Sequence, residues 1–205
     1  MTPTDPDTPP PPSPSEVSGR RQWLALATVG GLAAAAGAGW GWWRQPGAGS
    51  DPTSRLPAMA ADATTQAAAA FWPLRFEQPS GGELAMASLR GQPLLLNFWA
   101  TWCPPCVKEM PLLDQFHREQ ASRGWQVLGL AVDSPTPVRS FLQRQPMGFP
   151  IGLAGMDGVE LAKSLGNAGG QLPYSVVFDR EGRFRHRKLG TVDEALLASW
   201  VKDIG

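Results

Sequence analysis

The sequence predicts an α/β fold, a three-layer sandwich in which helices cover both faces of a central mixed sheet. Three apolar runs are typical of strands that are buried on both faces: Leu94–Ala100, Trp125–Val132 and Tyr174–Phe178. Helical patterns lie between these runs. Because strands and helices alternate along the chain, we expect the helices to pack against a sheet that contains parallel strands.

The globular part is predicted to span 71–205, and its elements can be assigned in chain order. The segment 71–89, which contains a Gly81–Gly82 turn, predicts a hairpin or an edge strand. Amphipathic spacing predicts four helices, and a charged stretch after the turn at 179–182 predicts one more strand. The helices are Pro104–Gln120, Pro137–Arg144, Val159–Leu165 and Asp193–Ile204, and the strand is Phe184–Leu189.

Two segments without a core precede the globular part and flank an apolar run. Residues 1–19 contain seven of the 21 prolines and few apolar side chains, so burial cannot offset the entropy of ordering them. We expect a disordered Pro-rich tail there. Residues 44–70 are rich in Pro, Gly, Ser, Thr and Ala, which predicts a flexible linker.

The uncharged stretch Gln22–Trp43 is close to the roughly 20 residues that cross a bilayer. Arg20 and Arg21 precede it, so the positive-inside rule places the tail in the cytoplasm and the globular part outside. We predict that 20–43 is a transmembrane signal-anchor or an export signal, and SGRRQWLALA resembles a twin-arginine signal. The tryptophans within Trp40–Trp43 favour a retained anchor. The globular part would then face the periplasm from a bacterial inner membrane, or be exported if the segment is cleaved.

Charge and cysteine content exclude several classes of function. The chain carries 18 basic and 18 acidic residues, so no basic field indicates nucleic-acid binding. Only two cysteines occur, which excludes a small scaffold stapled by several disulfides. The pair itself therefore requires an explanation.

The two cysteines form a C-x-x-C motif, Cys103-Pro104-Pro105-Cys106, which follows a predicted buried strand and opens a predicted helix. This context is the one in which such a motif is redox-active. The helix dipole and free backbone N–H groups favour a thiolate on Cys103, the predicted attacking thiol, whereas Cys106, one turn further in, is the predicted resolving thiol. Pro104 and Pro105 fit the first turn, where they cost no hydrogen bond.

Other uses of the cysteine pair remain open at this point. A zinc site would need two further ligands, and only His117 and His186 are available as histidines, so we expect no metal site of that kind. Two thiolates could bind cuprous ion, which leaves a copper-binding chaperone as an alternative. A thiol peroxidase requires a threonine three residues before its reactive cysteine, and this chain has Ala100 at that position, which disfavours a peroxidase.

The string NFWATWCPPCVKEMP resembles the active-site signature of the TlpA/ResA group of thioredoxin-like, membrane-anchored thiol–disulfide oxidoreductases. LRGQPLLLNFWA and LPYSVVFDREGRFRHRKLG resemble the same group, so the similarity covers most of the globular part. The resemblance implies a thioredoxin fold, no bound cofactor, a membrane electron donor, and reduction of disulfides in extracytoplasmic proteins, often in cytochrome c maturation or copper-site assembly. We expect a monomer.

The resemblance also carries residue roles to matching positions. Pro173 matches the family's cis-proline, and a substrate strand would pair with the backbone of the preceding Leu172. Glu109 matches an acidic residue near the active site and is a possible proton acceptor for Cys106; a solvated helix charge is the alternative. Asn97 stands where thioredoxins carry a buried acid. Trp102 is expected to shield the disulfide and to contact the substrate; plain packing is the alternative.

The direction of electron transfer stays open on the residues alone. A disulfide-forming oxidase would use the same side chains at a higher reduction potential. We expect the substrate groove, which includes Pro104 and Pro105 beside Trp102, to differ from that of the family. Many members read Pro-Thr-Thr where this chain reads Pro173-Tyr174-Ser175.

Overall fold

A computed structural model describes residues 63–204 of the 205-residue chain, and they form five α-helices and seven strands. Helix α1 spans 63–71. The other helices are α2 (Pro104–Gln120), α3 (Pro135–Arg144), α4 (Asp157–Ser164) and α5 (Glu194–Ile204). The strands are β1 (Arg75–Glu77), β2 (Glu83–Ala85), β3 (Leu94–Trp99), β4 (Gln126–Ala131), β5 (Ile151–Leu153), β6 (Tyr174–Phe178) and β7 (Phe184–Leu189).

The strands form one mixed sheet in the order β2-β1-β5-β4-β3-β6-β7. Strands β3, β4 and β5 are parallel, and β6 and β1 add antiparallel neighbours on either side. The predicted front hairpin is confirmed as the antiparallel pair β1–β2. The prediction missed β5 as a strand because its three residues are too few to show a period.

Helices cover both faces of this sheet, which confirms the predicted three-layer sandwich. Along β3 every residue is buried, and consecutive side chains enter different cores. Trp99 packs with residues of α2, α3 and α5 on one face, and Phe98 packs with residues of α1 and α4 on the other. A continuous apolar run is therefore what a central strand of this sheet requires.

Helix α1 lies partly in the predicted linker. Residues 63–70 are helical, and both Ala68 and Phe71 are buried in the core on the α4 face of the sheet. The predicted boundary at 71 therefore falls inside a packed helix. An alanine-rich segment can form a packed helix because alanine has a high helix propensity and its small side chain lets the helix lie close to aromatic neighbours. Few large apolar residues are therefore needed in it.

The predicted tail, the predicted membrane segment at 20–43 and most of the predicted linker lie outside the described residues. Within 63–204, none of the helices combines the length and the hydropathy needed to span a bilayer.

Candidate active site

The sheet topology brings the candidate residues to one edge. Strands β3, β5 and β7 all end there, since β6 is antiparallel to both β3 and β7. The loop after β3 leads to Cys103, and the register pairs Phe98 with Tyr174, so Pro173 lies beside the end of β3. The cysteine motif and the segment that contains Pro173 are far apart in the sequence, but the fold makes them neighbours.

Cys103 and Cys106 form a disulfide at the start of α2. Cys103 is the N-cap residue, its Sγ accepts a hydrogen bond from the Cys106 N–H at 3.4 Å, and Pro104 and Pro105 occupy the first turn. Cys103 is 5% exposed and Cys106 is fully buried. A reduced Cys103 would keep this N–H donor and the helix dipole, which both favour the thiolate. The unequal roles predicted for the two thiols have a structural basis here.

The loop that carries Cys103 is tied to the next strand by Asp133. Its carboxylate accepts a hydrogen bond from the Thr101 backbone N–H at 2.9 Å and one from the Thr101 hydroxyl. Asp133 directly follows Val132, whose N–H bonds to the Trp99 carbonyl. Sequence reasoning missed Asp133; its position just past a buried strand, at the sheet edge where sites form, is the signal that could have found it.

The Leu172–Pro173 peptide bond is cis, as predicted. Pro173 is buried, and its carbonyl accepts a hydrogen bond from the Gly190 N–H at 2.9 Å. Leu172 is half-buried and contacts the core that includes both cysteines. The predicted substrate-binding segment therefore lies at the same end of the sheet as the redox pair.

Glu109 is buried behind the cysteines, on the face of α2 that packs on the sheet. Its Oε1 accepts a hydrogen bond from Asn97 Nδ2 at 2.9 Å, and its Oε2 accepts one from the Val192 N–H at 3.0 Å. Burial raises the pKa of the Glu109 carboxyl above its ordinary 4.5, although the bonds from Val192 and Asn97 oppose the rise. Glu109 is thus a buried carboxyl one helical turn from Cys106 rather than a solvated helix charge.

Asn97 bonds to a second buried side chain that sequence reasoning did not select. Its Nδ2 also donates to Ser175 Oγ at 3.1 Å, and the two residues are register partners on β3 and β6. Both are fully buried, and Asn97 Oδ1 has no hydrogen-bond partner. A lone polar residue in the otherwise apolar run of β6 is the signal that could have found Ser175.

Three large apolar side chains are exposed in the described residues, and all three lie at the active-site edge of the sheet. Trp102 is 62% exposed and follows the end of β3 by three residues. Met156, 70% exposed, follows the end of β5 by three residues, and Leu189, 50% exposed, is the last residue of β7. The exposure of Trp102 leaves its ring available to a partner molecule.

The two histidines lie elsewhere. His117 packs edge-on against Phe149, and His186 stacks on Trp200 and pairs with Asp203 at 2.9 Å. Neither residue is a neighbour of the cysteines in these contacts. The predicted roles of Trp102, Pro104, Pro105 and Leu172 toward a substrate stay predictions, although all four lie at the same edge.

Comparison with known proteins identifies the family. The model of the AhpC/TSA family matches residues 60–187, which is more than half of the chain. The chain belongs to the AhpC/TSA family. It is 32% identical over 125 residues to the thiol–disulfide oxidoreductase ResA of Geobacillus thermodenitrificans, covering 60% of this chain and 70% of that protein. It is 29% identical over 126 residues to ResA of Bacillus anthracis, with the same coverage.

Solved structures share the fold of the globular part. A thiol:disulfide interchange protein of the thioredoxin family from Chlorobium tepidum matches with a TM-score of 0.56 at 29% identity, covering 64% of this chain and 92% of that one. A secreted Mycobacterium tuberculosis disulfide oxidoreductase matches with a TM-score of 0.54 at 23% identity, covering 64% and 96%, and shows the shared fold. The globular part is therefore thioredoxin-like, and the protein is a thiol–disulfide oxidoreductase of the ResA type.

Proposed function

We propose that this protein reduces disulfides in other proteins outside the cytoplasm, with its catalytic domain in the periplasm and its N-terminal segment in a bacterial inner membrane. The observation that carries the chemistry is the Cys103–Cys106 disulfide at the N-terminus of α2, in which Cys103 is 5% exposed and Cys106 is fully buried. The compartment rests on the sequence pattern of Arg20, Arg21 and the apolar run at 22–43.

The reaction uses the two thiols in succession. The Cys103 thiolate attacks one sulfur of the substrate disulfide, and the other substrate sulfur leaves as a thiolate. Cys106 then gives its proton to Glu109 and attacks Cys103 Sγ, so that the mixed disulfide breaks and the second substrate sulfur leaves. The substrate gains two electrons and takes up protons, and the protein is left as the Cys103–Cys106 disulfide. A dithiol donor, proposed to be a membrane protein, restores the reduced state.

The surface around the disulfide favours a protein substrate over a small-molecule disulfide. Neighbouring strands lie about 4.8 Å apart, so β3, which precedes Trp102, is about 10 Å from β5, which precedes Met156, and about 10 Å from β7, which ends at Leu189. The three exposed apolar side chains therefore follow or end strands that together span about 20 Å of this end of the sheet, the length of roughly six extended residues. A polypeptide with apolar residues on both sides of its cysteine could cover them.

Three experiments distinguish the proposed reductase from a disulfide-forming oxidase and from a copper-binding chaperone. The full chain in detergent micelles is mixed with insulin and dithiothreitol, its reduction potential is measured against glutathione buffers, and cuprous ion is titrated in parallel. We expect catalysed insulin reduction and a potential well below about −120 mV, the value of a strong oxidant. A potential near that value would instead indicate an oxidase, and stoichiometric copper binding without reductase activity would indicate a chaperone.

A further inference from the structure

Three buried polar side chains form a cluster behind the redox pair, and the mechanism above uses only one of them. Asn97, Glu109 and Ser175 come from β3, α2 and β6, and are 0%, 4% and 0% exposed. Asn97 lies between the other two, with Nδ2 2.9 Å from Glu109 Oε1 and 3.1 Å from Ser175 Oγ. Burial of three polar groups in an apolar core is costly unless they bond to one another.

The hydrogen bonds fix the orientation of the Glu109 carboxylate. One oxygen is held by Asn97 and the other by the Val192 N–H, so rotation of the carboxylate would break both bonds. The Asn97 amide is itself held only through its nitrogen, because Oδ1 has no partner. Its orientation therefore depends on the two acceptors, Glu109 and Ser175, that the nitrogen serves.

The donors to Glu109 are neutral. On its own helix the nearest charged neighbour in sequence is Lys108, and in the loop that supplies Val192 it is Asp193; both side chains are exposed. Strands β3 and β6, which pack against Glu109, contribute no charged residue; the titratable Tyr174 of β6 bonds through its hydroxyl to the Leu165 carbonyl. Lys188 of β7 is the register partner of Ser175 and is exposed, and it makes no bond to Glu109. Without a cation beside it, the ionised state of the carboxyl depends on these hydrogen bonds.

We propose that Asn97 and Ser175 are positioning residues that hold the Glu109 carboxylate in the orientation in which it accepts the proton of Cys106. The proposal rests on the proposed exchange reaction and deepens it. Ser175 acts through Asn97, and Asn97 acts through Glu109. Neither needs to touch the substrate. The buried side of the site is thus a proton-accepting unit assembled from three elements of the fold.

The test is a pH profile of the resolving step. The reduced full chain in detergent reacts with a peptide disulfide in a single turnover, and release of the second peptide thiol is followed between pH 4 and pH 9 at about one-unit intervals. If Glu109 accepts the proton, the wild-type rate falls on the acid side. This fall in rate toward low pH is the acid limb of the profile. Asn97→Leu removes a donor that favours the ionised carboxylate, so the acid limb moves to higher pH and the rate at low pH falls by about 5- to 10-fold.

Matched variants separate positioning from packing. Ser175→Ala should shift the limb in the same direction by less, whereas Ser175→Thr, which keeps the hydroxyl, should restore the wild-type profile. Glu109→Gln should remove the limb, and Asn97→Leu should then have no further effect. The proposal is overturned if Asn97→Leu and Ser175→Ala slow the reaction equally at every pH, or if the limb persists in Glu109→Gln. Failure of the wild type to react with the peptide would instead refute the exchange reaction itself.

Discussion

Two buried carboxylates at opposite ends of β6 illustrate how this fold separates chemistry from structure. Glu109 lies at the active-site end and receives hydrogen bonds from a neutral amide and a backbone N–H. Asp179 lies just after β6 at the far end, where its side chain is 5% exposed and pairs with Arg183 and Arg185. Both carboxyls are buried, yet only one of them has cations as partners.

Their pKa values are displaced in opposite directions. Burial raises the pKa of both groups, and at Glu109 that effect dominates. At Asp179 the hydrogen bonds from the Arg183 backbone and side chain, together with the charge of Arg183 and a bond from Arg185, outweigh burial and hold the pKa below its ordinary 3.8. Asp179 therefore stays ionised and closes the β6–β7 turn, whereas Glu109 is suited to exchange a proton.

The largest effect that sharpens this contrast is expected from Glu109→Gln. Loss of a proton acceptor typically costs about 100-fold or more, so release of the second thiol should slow by at least about that factor near neutral pH. Formation of the mixed disulfide at Cys103 should be nearly unaffected. Stopped-flow measurement of the two steps checks this, and an equal slowing of both steps would contradict a role confined to Cys106.

Asp179→Asn should show the opposite pattern. The neutral amide loses the ion pairs with Arg183 and Arg185 and part of the turn's hydrogen bonding, so the free energy of unfolding should fall by about 1–3 kcal/mol. The exchange rate of the folded protein should stay at the wild-type value. Urea denaturation and the peptide assay check both points; a stable but slow variant would show that Asp179 is coupled to the chemistry.

The pH dependence of stability should have opposite signs for the two groups. The folded state holds the Glu109 proton more tightly than the unfolded chain, so this group makes stability fall as pH rises above about 4.5 toward its raised pKa. The contribution of Asp179 is complete above 3.8 and is lost as pH falls through its lowered pKa. A plot of the free energy of unfolding against pH, obtained by denaturation at each pH, should therefore have a smaller slope above pH 4.5 in Glu109→Gln and below pH 3.8 in Asp179→Asn. Unchanged slopes would contradict the assignment.

The smallest effects are expected at the surface of the active-site end. Met156→Ser and Leu189→Ser should each raise the KM for a peptide disulfide with apolar flanks by about two- to fivefold, because part of an apolar contact is lost. The rate with a small aromatic disulfide serves as the internal control and should stay constant. A parallel loss with both substrates would show that the substitutions disturb the cysteines rather than substrate contact.

Local sequence patterns predicted the features that depend on neighbours in the chain. The Cys103–Cys106 motif at a helix start needs only the strand before it and the helix after it, and the cis bond at Pro173 followed from family resemblance. Helix α1 was hidden in a composition typical of a linker. Its packing is decided by aromatic side chains far along the chain, since Phe71 stacks on Phe178.

The polar partners could not be predicted because each lies far away in sequence. Asn97 and Ser175 are 78 residues apart, Thr101 and Asp133 are 32 apart, and Glu109 bonds to the backbone of a residue 83 positions away. Such pairs are set by strand register and by how α2 lies on the sheet, and neither is encoded in a local pattern. The position of Glu109 was predictable, but what holds it was not.

The unequal roles of the two cysteines can be tested directly by covalent trapping. Each serine variant of the full chain is incubated with a peptide disulfide, and adducts are measured by mass spectrometry under non-reducing conditions. We expect Cys106→Ser to accumulate a stoichiometric mixed disulfide through Cys103, because resolution is blocked, and Cys103→Ser to form little adduct, because Cys106 is buried. Equal trapping by both variants, or trapping through Cys106 alone, would contradict the account.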